Sequence, residues 1–296
     1  MQPNPLSLSD DPRRGLPSCS ALHRLENCPA SHALSRDAER QGLVPPNEAV
    51  TESGNRIHAY LETEADSDFE ALAHGERETA EICLNQKNAL VIYWMASGGE
   101  NMDHLKEHRL GLTALGTAVD VTPGTKANLV CTGMADLIVL DKANRRALIV
   151  DYKTGRGEVE DAQRNAQLRG LAVLAALRWN LLEVRVAIVQ PLAGQPTVAD
   201  FDEDALVGAD WWLSRVVENT KKPHGPTAGD WCQYCPARAG CPAFRDHCLA
   251  QTEVMELETL PDGKGPDAAI ARAMELPADL LSRLLCGRRM IGWYLN

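Results

Sequence analysis

Apolar residues along the chain follow two different periods. The first third carries helical spacing: Ser18–Arg40 places Leu22, Leu25 and Ala33 on one face, with Pro29 as an interruption. "SGNRIHAYLE" predicts a second helix, capped by Ser53 and carrying His58, and Arg77–Ala96 a third that "SGG" closes. The period then changes. "HLKEHRLGLTALG", "LVCTGMADLIVLD", "RALIVDYK" and "LEVRVAIVQP" read as strands, the last after a helical stretch, Asp161–Trp179. The short polar turn "DKANRR" predicts an antiparallel hairpin between the second and third strands. A further helix covers Asp202–Asn219. Helices, a strand meander, a helix, a strand and a helix define an α/β domain with a mixed central sheet flanked by helices.

Punctuation divides the chain further. Residues 1–17, with four prolines, read as a flexible arm, and 18–220 as the main domain. After the linker "TKKPHGPTAGDW" comes a cysteine module, taken as 221–250 and packed on the N-terminal helix, and then a tail, 251–296, with helical character.

Candidate chemistry gathers where the third strand runs out, in "ALIVDYKTGRG". Asp151 and Lys153 face the same way and Tyr152 the opposite way, because strand side chains alternate. Folding at "DKANRR" brings Asp136 to the same sheet edge. Two desolvated carboxylates repel unless one protonates or a divalent cation lies between them. A lysine beside such a cation is placed to orient water or to stabilise charge on a transferring phosphoryl group. These residue types, taken alone, equally describe a surface ion pair beside a turn-proximal aspartate.

The second candidate is "WCQYCPARAGC", which spaces Cys232, Cys235 and Cys241 to wrap one metal centre. A fourth ligand from His247 or Cys248 would make a local zinc module. A distant one, Cys28 or its competitor Cys19, would close a long loop around the main domain as a staple. Cys83 and Cys131 lie in apolar contexts and read as packed thiols.

Composition narrows the function. The 296 residues, 44% hydrophobic, support a sizeable core, with no run long enough to span a membrane and no apolar signal-peptide core; the chain reads as cytosolic. A net charge of −11 excludes a generic polyanion binder. Much of the excess lies in "LETEADSDFEALAHGERETAE", read as a solvated face and loop. A DNA path must draw on other cations, among them Arg145, Arg146, Arg156, Arg164 and Arg169.

"GMADLIVLD…ALIVDYKTG", a following helix with Gln167, and the G-x-x-x-H pattern of "GNRIHAYLE" together resemble the RecB-type branch of the PD-(D/E)XK nucleases. The resemblance implies that fold, with His58, Asp136, Asp151 and the carbonyl of Tyr152 as ligands of Mg²⁺ or Mn²⁺, Lys153 and Gln167 as catalytic residues, and Glu107 as a further acidic ligand. Beside that resemblance, Arg156 of "TGRG", with Arg164 and Arg169 nearby, is the expected set of DNA contacts. Where the family has a tyrosine four residues beyond the glutamine this chain has Leu171, and the DNA contact that tyrosine would make is lost.

The cysteines are similar to those of iron–sulfur members, including the CRISPR-associated exonucleases and the AddB subunit, in which an upstream Cys-Pro precedes a C-x₂-C-x₅-C trio. That resemblance implies a [4Fe–4S] cluster on Cys28, Cys232, Cys235 and Cys241, with Zn²⁺ as the alternative. "SALHRLENCPASHALSR" and "GRGEVEDAQRNAQLRGLAVLAAL" look like a phage-borne branch, which implies the cytosol of a bacterial host and a single-strand annealing recombinase as partner. The expectation is a metal-dependent deoxyribonuclease of DNA recombination and processing, an exonuclease acting 5′ to 3′ on ends or single strands. Its rivals are an inactive DNA-end or protein-binding scaffold of the same fold and a zinc-stapled regulatory protein.

Overall fold

The computed structural model describes residues 15–43, 48–98, 101–155, 157 and 159–256. The chain divides into two compact units, Met1–His23 with Asn47–Lys221, and Arg24–Pro46 with Lys222–Asn296.

The first unit is built on a six-stranded sheet in the order β2-β1-β3-β4-β5-β6. The strands are β1 (Asp103–Thr113), β2 (Ala118–Asp120), β3 (Leu129–Asp141), β4 (Arg146–Tyr152), β5 (Glu183–Val189) and β6 (Thr197–Phe201). Only β4 and β5 pair in parallel. The expected hairpin forms, Asp141 opposite Arg146, with Arg145 in a left-handed conformation at the turn. β4 is buried along almost its whole length because both of its faces are covered, which explains its continuous apolar run. The fold is the mixed α/β sheet flanked by helices expected from the sequence. β2 and β6 are additions: three and five residues long, they complete the two edges and carry too little pattern to read.

One face of the sheet is covered by α3 (Glu48–Thr63) and α5 (His74–Ala96), which bury Ile57, Tyr60, Leu61, Cys83 and Trp94 with Leu137, Val139, Leu148, Val150 and Tyr152. The short α4 (Asp66–Glu70) lies between them. α3 starts upstream of Ser53, so Ser53 is not its cap. α5 starts at His74, where the Glu76 carboxylate reaches back to accept from the Ala73 backbone N–H at 2.9 Å. The acidic run is more than a solvated loop. Glu64 takes both Lys87 (2.9 Å) and Lys106 (2.7 Å), and Glu76 pairs with Arg56.

Helix α6 (Ala166–Trp179) is apolar almost all round because it is enclosed between the sheet and α7 (Glu203–Asn219). Asn165 starts it by accepting from the Leu168 N–H at 3.0 Å, later than the expected Asp161. Gly133 on β3 lets α6 and the N-terminal turn approach the strand. A β-carbon there would lie 2.6 Å from the Cys19 sulfur and 2.7 Å from Leu171. Leu171 is fully buried at this contact, and Cys19, also buried, belongs to the same packing. The stretch 15–17 is tied down at its end, where the Pro17 carbonyl accepts from the Thr132 N–H.

The expected first helix is broken. A 3₁₀ turn at Cys19–Ala21 leads into α1 (Leu22–Asn27), which spans the division between units, and Cys28-Pro29 separates it from α2 (Ser31–Arg40). The second unit continues after Lys222 through 3₁₀ turns at Asp230–Cys232 and Arg238–Gly240 to α8 (Pro242–Glu256). The tail beyond Glu256, with Cys286, and the expected cation Arg156 lie outside the described residues.

Candidate active site and cysteine site

Register builds the first site. Lys106 and His108 of β1 face Leu137 and Ala135 of β3, which sets Glu107 opposite Asp136. Leu137 faces Val150 of β4, so the next step of the same ladder sets Asp136 opposite Asp151. Three carboxylates therefore form a row across three neighbouring strands. Glu107 sits in a left-handed conformation, φ 46°, which costs a non-glycine residue about 1–3 kcal/mol and interrupts the β1 ladder at this point. His58 of α3 closes the group, with Nδ1 3.7 Å from Glu107 and 3.6 Å from Asp136. Among the described residues, His58, Glu107 and Asp136 are the one trio of His, Cys, Asp or Glu whose ligand atoms all lie within 4.8 Å of one another.

Tyr152 supports this group twice. Its backbone N–H donates to Asp136 Oδ2 at 2.6 Å, and its buried ring meets the His58 ring edge-on, centroids 5.9 Å apart. On the other flank Lys153, Gln167 and Asp151 form a closed ring. Lys153 Nζ lies 2.7 Å from Asp151 Oδ2 and donates to Gln167 Oε1 at 3.1 Å, while Gln167 Nε2 donates to Asp151 Oδ1 at 2.7 Å. The first turn of α6 presents Gln167 there. Gln190, which follows β5, holds the next loop by donating to the carbonyls of Gly157 (2.7 Å) and Gly155 (3.4 Å). Nothing in the sequence pattern singles out Gln190; it becomes visible only once β5 lies beside β4.

Electrostatics follow from this crowding. Burial and the facing Asp151 push Asp136 up to about 7. His58, which burial alone would lower, is held above its ordinary value by Glu107 and Asp136. Lys153, also opposed by burial, is held above its own by Asp151. The donor set of three carboxylates and an imidazole, with two of the carboxylates in mutual repulsion, fits a hard divalent cation. Of the expected DNA cations, Arg164 is exposed just before α6, Arg169 lies over the Trp212 ring at 4.4 Å, and Arg146 is engaged by Asp141 and the Trp94 ring.

The second site lies wholly in the second unit. Cys28, Cys232, Cys235 and Cys241 line one cavity together with Arg24, Arg238 and Phe244; neither His247 nor Cys248 is among its lining. Burial, followed in smaller measure by the neighbouring thiols, pushes Cys232 up to about 11. Cys19 lies in the other unit, where a hydrogen bond with Cys131, followed by burial, raises its thiol well above the ordinary value.

The PD-(D/E)XK nuclease superfamily profile matches residues 17–242, well over half of the chain. The chain belongs to the PD-(D/E)XK nuclease superfamily. Members of this superfamily are in general metal-dependent phosphodiesterases, and the row of carboxylates with its lysine lies within the matched region. No curated protein matches the chain. A solved structure titled "Crystal structure of SSO0001" is similar at 14% identity and a TM-score of 0.32, over 71% of this chain and 95% of that one. No helix among the described residues of this PD-(D/E)XK chain is long and apolar enough to cross a membrane.

Proposed function

We propose that the protein is a divalent-metal-dependent DNA exonuclease with a cysteine-bound [4Fe–4S] cluster. The observation that carries the nuclease reading is the convergence of Asp136, Asp151, Glu107 and His58 beside the Lys153–Gln167–Asp151 ring. Asp136, Asp151, Glu107, His58 and the Tyr152 carbonyl would hold Mg²⁺ or Mn²⁺. When bound, the ion supplies a lowered water pKa and a polarised phosphoryl oxygen. Lys153 stays charged beside Asp151 and has a donor left over after Asp151 and Gln167. That donor orients the attacking water or meets the negative charge that develops on the phosphoryl group. Gln167 acts as a positioning residue, because its amide is spent on Lys153 and Asp151. Tyr152 fixes the Asp136 carboxylate through its N–H.

Arg164 and Arg169, with Arg156, are assigned to the DNA backbone. An acidic chain with few free cations suits an enzyme that enters at ends or single strands, or is handed its substrate, rather than one that grips duplex nonspecifically. Resemblance supports a role in phage or bacterial recombination in the cytosol and an annealing recombinase as partner; 5′ to 3′ is the direction we propose for digestion.

The cluster reading rests on four cysteines sharing one cavity. A single zinc ion bound to thiolates at about 2.3 Å draws their sulfurs to about 3.8 Å from one another. No three of these sulfurs gather within 4.8 Å, a spacing that suits a wider polynuclear centre.

End-labelled single- and double-stranded DNA, incubated with anaerobically purified protein and Mn²⁺ or Mg²⁺, tests the activity. Released nucleotides from the unmutated protein, absent with Lys153→Ala, are expected. No cleavage by folded, metal-supplied protein overturns the proposal in favour of a scaffold.

A further inference from the structure

The cysteine cavity has a hydrogen-bonded collar that the ligand spacing does not foretell. Arg24 in α1 donates from Nη1 to the Ser31 carbonyl and to Ser35 Oγ, each at 3.1 Å. Ser35, in α2 and 5% exposed, lies with its oxygen 4.0 Å from the Cys235 sulfur. The Arg24 guanidinium uses one lone pair of Oγ, and toward a metal-bound Cys235 thiolate, which carries no proton, the serine hydroxyl is the donor. On the other side, the Thr227 backbone N–H donates to the Cys28 sulfur at 3.4 Å, and the Thr227 hydroxyl donates to the Asn27 carbonyl at 2.6 Å. A backbone hydrogen bond from Gly229 reaches Cys232. Three of the four thiols are thus met by donors, and only the Cys235 donor is backed by a cation.

The physics of that arrangement points one way. Four thiolates around an iron–sulfur core leave it with net negative charge. Such a group is stabilised by hydrogen bonds to its sulfurs and by nearby positive charge, which also raise its reduction potential. Backbone donors are fixed by the fold. The Ser35 hydroxyl is different, because its direction depends on Arg24.

We infer that Arg24, acting through Ser35, is a positioning relay that stabilises the Cys235 thiolate in the metal-bound state and tunes the potential and oxygen resistance of the bound cluster. This rests on the cluster reading above. Arg24 and Ser35 belong to the cysteine site and not to the set of residues assigned to hydrolysis, so the relay acts on cluster retention rather than on the hydrolytic step.

The test uses the full chain purified without oxygen, as the unmutated protein and as Ser35→Ala, Ser35→Thr and Arg24→Gln. Iron and sulfide content, the rate of visible bleaching in air and the reduction potential are measured for each. Ser35→Ala and Arg24→Gln are expected to bleach about 10-fold faster, on the scale by which losing a partner of a ligand weakens metal binding, and to move to more negative potential. Ser35→Thr, which keeps the hydroxyl, is expected to stay near the unmutated values. Equal bleaching rates and potentials in unmutated protein and Ser35→Ala overturn the relay while leaving the cluster standing. Zinc without iron in the unmutated protein overturns the cluster reading itself, and the relay with it.

Discussion

Replacing Asp136 by Asn separates the metal-binding role of this carboxylate from its cost to the fold. The side chain is 9% exposed and faces Asp151 across the β3–β4 register, and its carboxyl is pushed from 3.8 to about 7. A rise of that size corresponds to about 4 kcal/mol, at 1.36 kcal/mol for each tenfold change in proton affinity. Because His58 and the neighbouring charges share in that cost, about half of it, ~2 kcal/mol, is assigned to Asp136 alone. The sign follows from linkage. A carboxylate raised in the folded state costs stability above its unfolded value, and the cost grows as the pH climbs from 3.8 through about 7. Asn removes the charge and keeps an oxygen for the Tyr152 N–H.

At pH 8, free of divalent ions, Asp136→Asn is therefore expected to melt about 4–8 °C above the unmutated protein. The gain should shrink as the pH is lowered toward 5. Millimolar Mg²⁺ should raise the melting temperature of the unmutated protein by mass action and leave the variant nearly unmoved. Thermal scans with and without Mg²⁺ across this pH range read both effects. An equal or lower melting temperature for the variant at pH 8 without metal, or a full Mg²⁺ response in the variant, would refute the reasoning.

Leu171→Tyr, which places a tyrosine four residues beyond Gln167, should destabilise by about 1–3 kcal/mol through overpacking against Gly133, and should not increase DNA cleavage. Denaturant melts and the end-labelled DNA assay check the two halves. Glu76 is held down to about 2 by Arg56 and the Ala73 N–H, so its stabilising share is whole above 4.5 and is lost as the pH falls toward 2. The melting temperature of the unmutated protein should therefore drop more steeply over that window than that of Glu76→Gln.

Glu107 and Asp136 show where sequence reading stops. Asp136 sits in a periodic strand with a hairpin partner a few residues on, so its meeting with Asp151 follows from alternation and a short turn. Glu107 shares that row only because β1 returns to pair with β3 and its backbone turns left-handed opposite Asp136. That conformation is disfavoured for any residue except glycine, and no local pattern announces it.

The sequence by itself determined the alternation of helices and strands, the hairpin that brings Asp136 toward Asp151, the placement of Lys153 on the side of Asp151, and the break that Pro29 puts into the first helix. These are local properties, set by side-chain period and backbone stereochemistry. Only the tertiary structure decided that Gln167 closes a ring with Lys153 and Asp151, that Gln190 holds the loop beyond, and that Leu171 points into the core rather than toward a substrate. The same holds for Cys28 sharing a cavity with Cys232, Cys235 and Cys241 while Cys19 packs against Gly133. Each of these depends on contacts between segments far apart in the chain, where packing and the pairing of buried polar groups outweigh the preference of any single stretch.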